Sequence, residues 1–416
     1  MFLTDAVVEA KIREGIARLP YDGKRVLVLV PDLTRTMPLP VFFRILVSAL
    51  RGRVAKLDFL VALGTHPGLT ATQIDQLFGC EPGERARSFA DVAFLNHDWA
   101  NPEALTFLGN IPASEIRELS MGMLEMEVPI RINKLVLDYD DLFVCGPVFP
   151  HEVAGISGGN KYFFPGIAGQ DIIDVTHWIG ALATSYKLIG TKDTAVRRVI
   201  NRAAAMIPRP RHALCAVVQH EGVEGIFIGP IAEAWDKAAD LAAQTHITWV
   251  QQPYRQVLSL LPEMYDEIWV GAKGMYKLEP VIRDGGEVIL YAPHLRVVSV
   301  THGKKIAAIG YHCRDYFVKQ WDTFKGHPWG VLAHSTHLRG AGSYDLATGI
   351  ETCRIQVTLA TGIPEAECRA LNLGYRDWKS IDVAVWRAEA ARDPGCLVVD
   401  RAGEQLYRLA STRPKG

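Results

Sequence analysis

The sequence predicts an α/β protein built as two α/β domains with a cofactor and substrate cleft between them. Three observations carry that reading. Short apolar runs of strand length alternate with helical patterns along the chain. At 416 residues the chain is too long for one ordinary core. Residues suited to chemistry (Asp32, Arg35, His66, His151, Lys161 and Lys273) all fall just after a predicted strand, where ligands gather in such folds.

The elements follow in order. "MFLTDAVVEAKIREGI" has acids inside its apolar pattern and reads as an amphipathic helix rather than a signal peptide. "RVLVLV" (25–30) is a strand, followed by the turn "PDLTRTMP" (31–38) and a helix over about 41–50. "LDFLVAL" (57–63) leads into "GTHPGLT" (64–70) and another helix, and "LFVCG" (142–146) leads into a glycine-rich loop. Helices are predicted at 169–188, 191–206 and 231–243, with strands at "HALCAVVQ" and "GIFIG" between the last two. A second set of strands is predicted at "EIWVGA" (267–272), "EVILYAP" (287–293), "KIAAIG" (305–310), "GVLAHST" (330–336) and "RIQVTLA" (354–360). The border between domains, 1–250 and 251–416, is placed in "HITWVQQPYRQ".

Composition excludes several classes. Apolar residues make up 49% and charged residues 22%, and the net charge of −1 gives no reason to expect nucleic acid or an acidic membrane as partner. No apolar run approaches a membrane span. Seven cysteines without a CxxC suggest idle thiols in a reducing compartment, so a cytoplasmic location is expected.

The loop "HEVAGISGGNKYFFPGIAG" (151–169) surrounds one lysine with glycines, which suggests close approach of the backbone to a ligand. It is not a P-loop, because Asn160 precedes Lys161 and Tyr162 follows it. On the next helix Ile172, Val175, Ile179, Leu182 and Tyr186 form an apolar stripe, which puts His177 on the opposite side with Gln170, Asp174 and Ala181.

"PDLTRTMP", "ALGTHPGLT", the glycine loop and "DVTHW" (174–178), in this order, resemble the signature of the nickel-dependent lactate racemase (LarA-like) family. The intervals match as well: Lys161 stands ten residues after His151, and His177 sixteen after Lys161. The resemblance is strongest over 25–190 and weaker after 265. It implies a racemase or 2-epimerase, an isomerase acting on a 2-hydroxy acid by reversible hydride transfer through a 2-keto acid. Its cofactor would be a nickel-pincer nucleotide (pyridinium-3-thioamide-5-thiocarboxylic acid mononucleotide) bound covalently at Lys161, with His177 as nickel ligand and Asp32 and Thr34 beside the cofactor. His66 and His151 would be the two catalytic bases, and Arg35 and Lys273 would bind substrate. The partners implied are a small 2-hydroxy acid and the proteins that build the cofactor.

Within "VGAKGMYKLEPVIRDGG" (270–286), Val270 stands where the resemblance to lactate racemases implies a glutamine, so the substrate stays open among lactate, malate, longer aliphatic or aromatic hydroxy acids and sugar acids such as gluconate. Lys277 and Glu279 are further candidates for a hydroxylated substrate, "HSTHLRG" (334–340) for a pocket element, and Trp321 and Trp329 for covering the cofactor. Competing readings are weaker. An NAD-type hydroxy-acid dehydrogenase needs a G-x-G-x-x-G that is absent from the chain. A zinc hydrolase lacks a closely spaced ligand set. A cofactor-binding protein without racemase activity has no need of both His66 and His151.

Overall fold

The structure is a computed structural model that describes residues 2–219 and 222–413. The chain forms two compact units: residues 1–149, 156–176 and 192–245 make the first, and residues 150–155, 177–191 and 246–416 the second.

The first unit is organised by a six-stranded sheet. In spatial order its strands are Gly222–Pro230, Arg211–Gln219, Asp141–Pro147, Arg25–Val30, Lys56–Val61 and Phe94–Asn96. All neighbours are parallel except the first pair. Every residue of Asp141–Pro147 is buried, as are Val26–Val30. Such continuous apolar runs belong to parallel strands covered on both faces. Val28 pairs with Phe59 on one side and Phe143 on the other, so three central strands run side by side in one direction. Their carboxyl ends therefore open at the same edge, which places there the loops carrying Asp32, His66 and Lys161. One face is filled by an aromatic core in which Phe43 contacts Phe59, Phe78, Phe89 and Phe94. The opening helix, Asp5–Ala17, buries Val8, Ile12 and Ile16, the stripe expected of an amphipathic helix.

The second unit has a five-stranded, all-parallel sheet in the order Gly374–Tyr375, Gln356–Thr361, Ile282–Ala292, Tyr254–Leu260, Cys396–Val399. The α/β class is therefore correct, but three strands predicted from the sequence are helices. "EIWVGA" becomes a helical turn at Ile268–Gly271, "KIAAIG" lies in helix Gly303–Ile309, and "GVLAHST" lies in helix Trp329–Arg339. Lys273 consequently begins a short helix and does not follow a strand. The cause is burial. Val331 through Leu338 are all buried, so no polar face marks the helical period, and short apolar runs of this kind do not separate helix from strand. Tyr254–Leu260, a central strand, begins within the stretch assigned to the domain border.

Candidate functional site

In the first unit the loop after Arg25–Val30 is built around Asp32. Its Oδ1 accepts hydrogen bonds from the Thr34 hydroxyl (2.6 Å) and backbone N–H (3.0 Å), and its Oδ2 accepts one from His66 Nδ1 at 2.5 Å. Burial works to raise the pKa of Asp32. The His66 hydrogen bond and the nearby Arg35 charge outweigh it and hold the carboxyl well below the usual carboxylate range. Asp32 is thus a fixed anion, and it pins the His66 proton on Nδ1, leaving Nε2 with its lone pair. Arg35 sits over the Phe149 ring, 5.7 Å from its centroid.

The His66 loop is tied to the glycine loop by a hydrogen bond from Gly64 N–H to Gly166 O (2.9 Å). Lys161 lies half-buried on a 3₁₀ turn, Gly159–Tyr162. The glycines before it serve the protein's own packing. Gly159 has φ +59°, and a β-carbon there would come within 2.8 Å of Trp235. At Gly158, with φ +80°, it would come within 2.6 Å of Val148. Two residues that sequence reasoning missed hold the loop from beneath. Trp235 Nε1–H donates to Ser157 O (2.7 Å). Arg197, nearly fully buried, donates to the carbonyls of Gly158 (3.1 Å) and Ile156 and lies 4.3 Å from the Trp235 ring centroid. Burial pushes the Arg197 pKa down to about 9. A buried arginine spent on loop carbonyls is the costly kind of group that fixes a conformation. Its only trace in sequence is an arginine on the buried side of helix Ala195–Ala204. The far end of the loop is held by His97, whose Nε2 bonds Ala168 O (3.1 Å) and whose Nδ1 bonds Asn133 Nδ2 (3.1 Å).

In the second unit His151 is buried. Its Nδ1 accepts the Val153 N–H at 3.1 Å and lies 3.4 Å from Glu152 Oε2. His177 is half-buried on helix Gln170–Ala183, on the same side as the half-buried Gln170 and Asp174, as the helical angle predicts, although Ala181 on that side is buried. Beside it Trp178 stacks on Trp321 at 5.0 Å, and Trp329 meets Trp321 edge-on at 5.3 Å. His337 feels the charges of Glu152 and His177, and His334 that of Glu152. Both rings lie on helix Trp329–Arg339, and burial pushes their pKa values down to about 4 and about 3 respectively. His334 stacks on Trp269 (centroids 3.9 Å apart) and bonds its carbonyl through Nε2 at 3.0 Å. His334 Nδ1 and His337 Nε2 are buried without a hydrogen-bond partner. Lys273 is half-buried, with its ammonium 5.0 Å from the Tyr265 ring centroid.

Two sequence candidates change role. Lys277 is buried and donates to Glu404 O at 3.1 Å, and the carboxylate of fully buried Glu279 accepts the Ala341 N–H at 2.8 Å. Lys277 is spent on an internal contact, whereas Glu279 is enclosed by the protein with its Oε2 left without a hydrogen-bond partner.

Residues 4–188 match the family model for the lactate racemase N-terminal domain. A lactate racemase from Thermoanaerobacterium thermosaccharolyticum is 26% identical over 275 residues, which is 65% of this chain and 60% of that protein. A structural-genomics crystal structure of a Thermotoga maritima protein superposes with a TM-score of 0.87 at 35% identity, over 98% of both chains. The lactate racemase apoprotein of T. thermosaccharolyticum shares the fold, with a TM-score of 0.72 at 19% identity over 96% of this chain and 92% of that one. Over residues 4–188 the chain carries the N-terminal domain of the lactate racemase family.

Proposed function

We propose that this protein is an isomerase that inverts carbon 2 of a 2-hydroxy acid, as a racemase or 2-epimerase, with a nickel-pincer nucleotide as cofactor. The residues present fit that group. Lys161 offers an amine on a turn braced by Arg197 and Trp235, and His177 offers a half-buried imidazole, a good donor for nickel. Lys161 would be the covalent attachment point and His177 a metal ligand, and Asp32 and Thr34 would contact the cofactor. When bound, the group supplies reversible acceptance of hydride from carbon 2, which no side chain can supply.

The observation that carries the reading is the carboxylate at Nδ1 of His66, Asp32 at 2.5 Å; at His151 the Nδ1 accepts the Val153 N–H, with Glu152 3.4 Å away. Proton transfer is thereby directed to Nε2 on His66, whereas on neutral His151 the Val153 N–H holds Nδ1 as acceptor and Nε2 carries the proton. Neutral His66 takes the hydroxyl proton of one enantiomer at Nε2 as the alcohol becomes a 2-keto acid. Return of a proton to form the other enantiomer falls to His151, which as the imidazolium would give up the Val153 N–H and pair its Nδ1–H with Glu152. The opposite enantiomer uses the two rings in exchanged roles. Arg35 and Lys273 would hold the substrate carboxylate, Arg35 through its planar fork. The unpartnered ring nitrogens of His334 and His337 support an acid with hydroxyls beyond carbon 2, such as gluconate, over lactate.

The test is to purify the protein with and without the cofactor-building proteins. Nickel content, the mass of the Lys161 peptide and inversion of enantiopure lactate, malate and gluconate are then measured. Only protein with the adduct and nickel should invert an acid. Robust inversion by adduct-free, metal-free protein would overturn the proposal.

A further inference from the structure

A second cluster of metal-ligating side chains lies in the second unit, on different residues from those above. Cys313 precedes helix Arg314–Lys319, and Glu351 and Cys353 lie on strand Ile350–Cys353, two residues apart and so on one face. The two thiol sulfurs and a Glu351 carboxylate oxygen all lie within 4.8 Å of one another. Cys313 is buried and Cys353 half-buried, so the group is reachable from one side. Among the described residues no other such group contains two cysteines.

We propose that Cys313, Cys353 and Glu351 bind one thiophilic divalent cation, zinc foremost, with water completing a tetrahedron. Zinc–sulfur bonds near 2.3 Å set two sulfurs about 3.8 Å apart, within the spread seen here. The carboxylate is already oriented for a ligand. Glu351 accepts from the Cys313 N–H (2.5 Å) and Asn372 Nδ2 (2.7 Å) and lies 3.0 Å from His312 Nδ1, the outer hydrogen bonding that metal carboxylates carry. The charges balance too: two thiolates and a carboxylate face a dication and the guanidinium of Arg339, whose charge acts on both Glu351 and Cys353.

The cation braces a specific part of the unit. It joins the hairpin Gly342–Cys353 to the segment around Cys313, and Ser335 bonds that segment at Gly310 O (2.8 Å) and His312 N (3.0 Å). Ser335 stands on the helix that also carries His334 and His337, so the cation stiffens the support of those rings.

Cofactor-free protein, stripped of metal under reducing conditions, is titrated with cobalt(II). The expected result is one equivalent bound with a near-ultraviolet thiolate-to-cobalt band, displaced by zinc. Cys353→Ser should lose the band, and Glu351→Gln should weaken binding by about 10-fold or more. Absence of the band in the unmodified protein, where folding is not in question, would overturn the site. So would a band unchanged by Cys353→Ser. A Cys313–Cys353 disulfide found with thiols trapped at lysis would overturn it in favour of a redox pair.

Discussion

Asp32 and His66 stand 34 residues apart in the chain, yet Oδ2 of one lies 2.5 Å from Nδ1 of the other. Adjacent parallel strands deliver both residues to one edge of the sheet, and the buried carboxylate leaves the imidazole a single nitrogen for proton transfer. In Asp32→Asn the fixed anion is gone and the ring's tautomer is no longer enforced. The turnover number should fall by about 10²-fold or more, with smaller change in KM and with the Lys161 adduct and nickel content retained. Steady-state kinetics on loaded protein checks this, and an unchanged kcat would remove Asp32 from the mechanism.

The glycine loop should be intolerant at Gly159. Gly159→Ala meets both a positive φ and the Trp235 ring, and should cost about 1–3 kcal/mol of stability. Urea titration against the unmodified protein gives the value, and a change within about 0.5 kcal/mol would show that the loop relaxes freely.

Arg197→Lys keeps a charge but loses the fork that reaches two loop carbonyls. We expect a lower Tm and a smaller fraction of Lys161 carrying the adduct when protein is produced with the cofactor-building proteins. Mass spectrometry of the Lys161 peptide measures that fraction, and full occupancy would make Arg197 a stability residue only.

Acid should destabilise the fold through its buried histidines. His97 and His337 are pushed down to about 4, and His246 and His334 to about 3, in each case chiefly by burial. Their folded pKa values lie below the unfolded value of 6.5, so the unfolded chain binds more protons as pH falls. Stability is therefore complete above about pH 6.5 and is lost from there down toward pH 4 and 3. The slope approaches about 1.4 kcal/mol per pH unit for each histidine. Denaturant titrations at several pH values between neutrality and 4.5 test this, and constant stability across that window would contradict it.

How much of this was legible in sequence differs between the two units. The first unit's central strands are long apolar runs followed by polar turns, and the positions of Asp32, Thr34, His66 and Lys161 on the loops beyond them could be read directly. Tertiary context decided the rest. The helix Trp329–Arg339 is buried through most of its length and so read as a strand, and Lys277 and Glu279 looked available because their partners lie 127 and 62 residues away. Arg197, Trp235 and Glu152 act through contacts with backbone and rings that no spacing rule announces. Idle cysteines were expected, but a hairpin strand brings Cys353 against Cys313.

In the proposed function, carbon 2 is inverted by hydride transfer with His66 and His151 as the two bases. Its most direct test is isotopic, using enantiopure lactate and gluconate deuterated at carbon 2, cofactor-loaded enzyme and ordinary water. The inverted product of the accepted acid should keep its deuterium at carbon 2. In single turnovers His66→Ala and His151→Ala should each still oxidise one enantiomer, a different one for each variant. Deuterium exchanged for solvent hydrogen would show proton abstraction at carbon 2 and contradict the account, as would two variants with the same enantiomer preference.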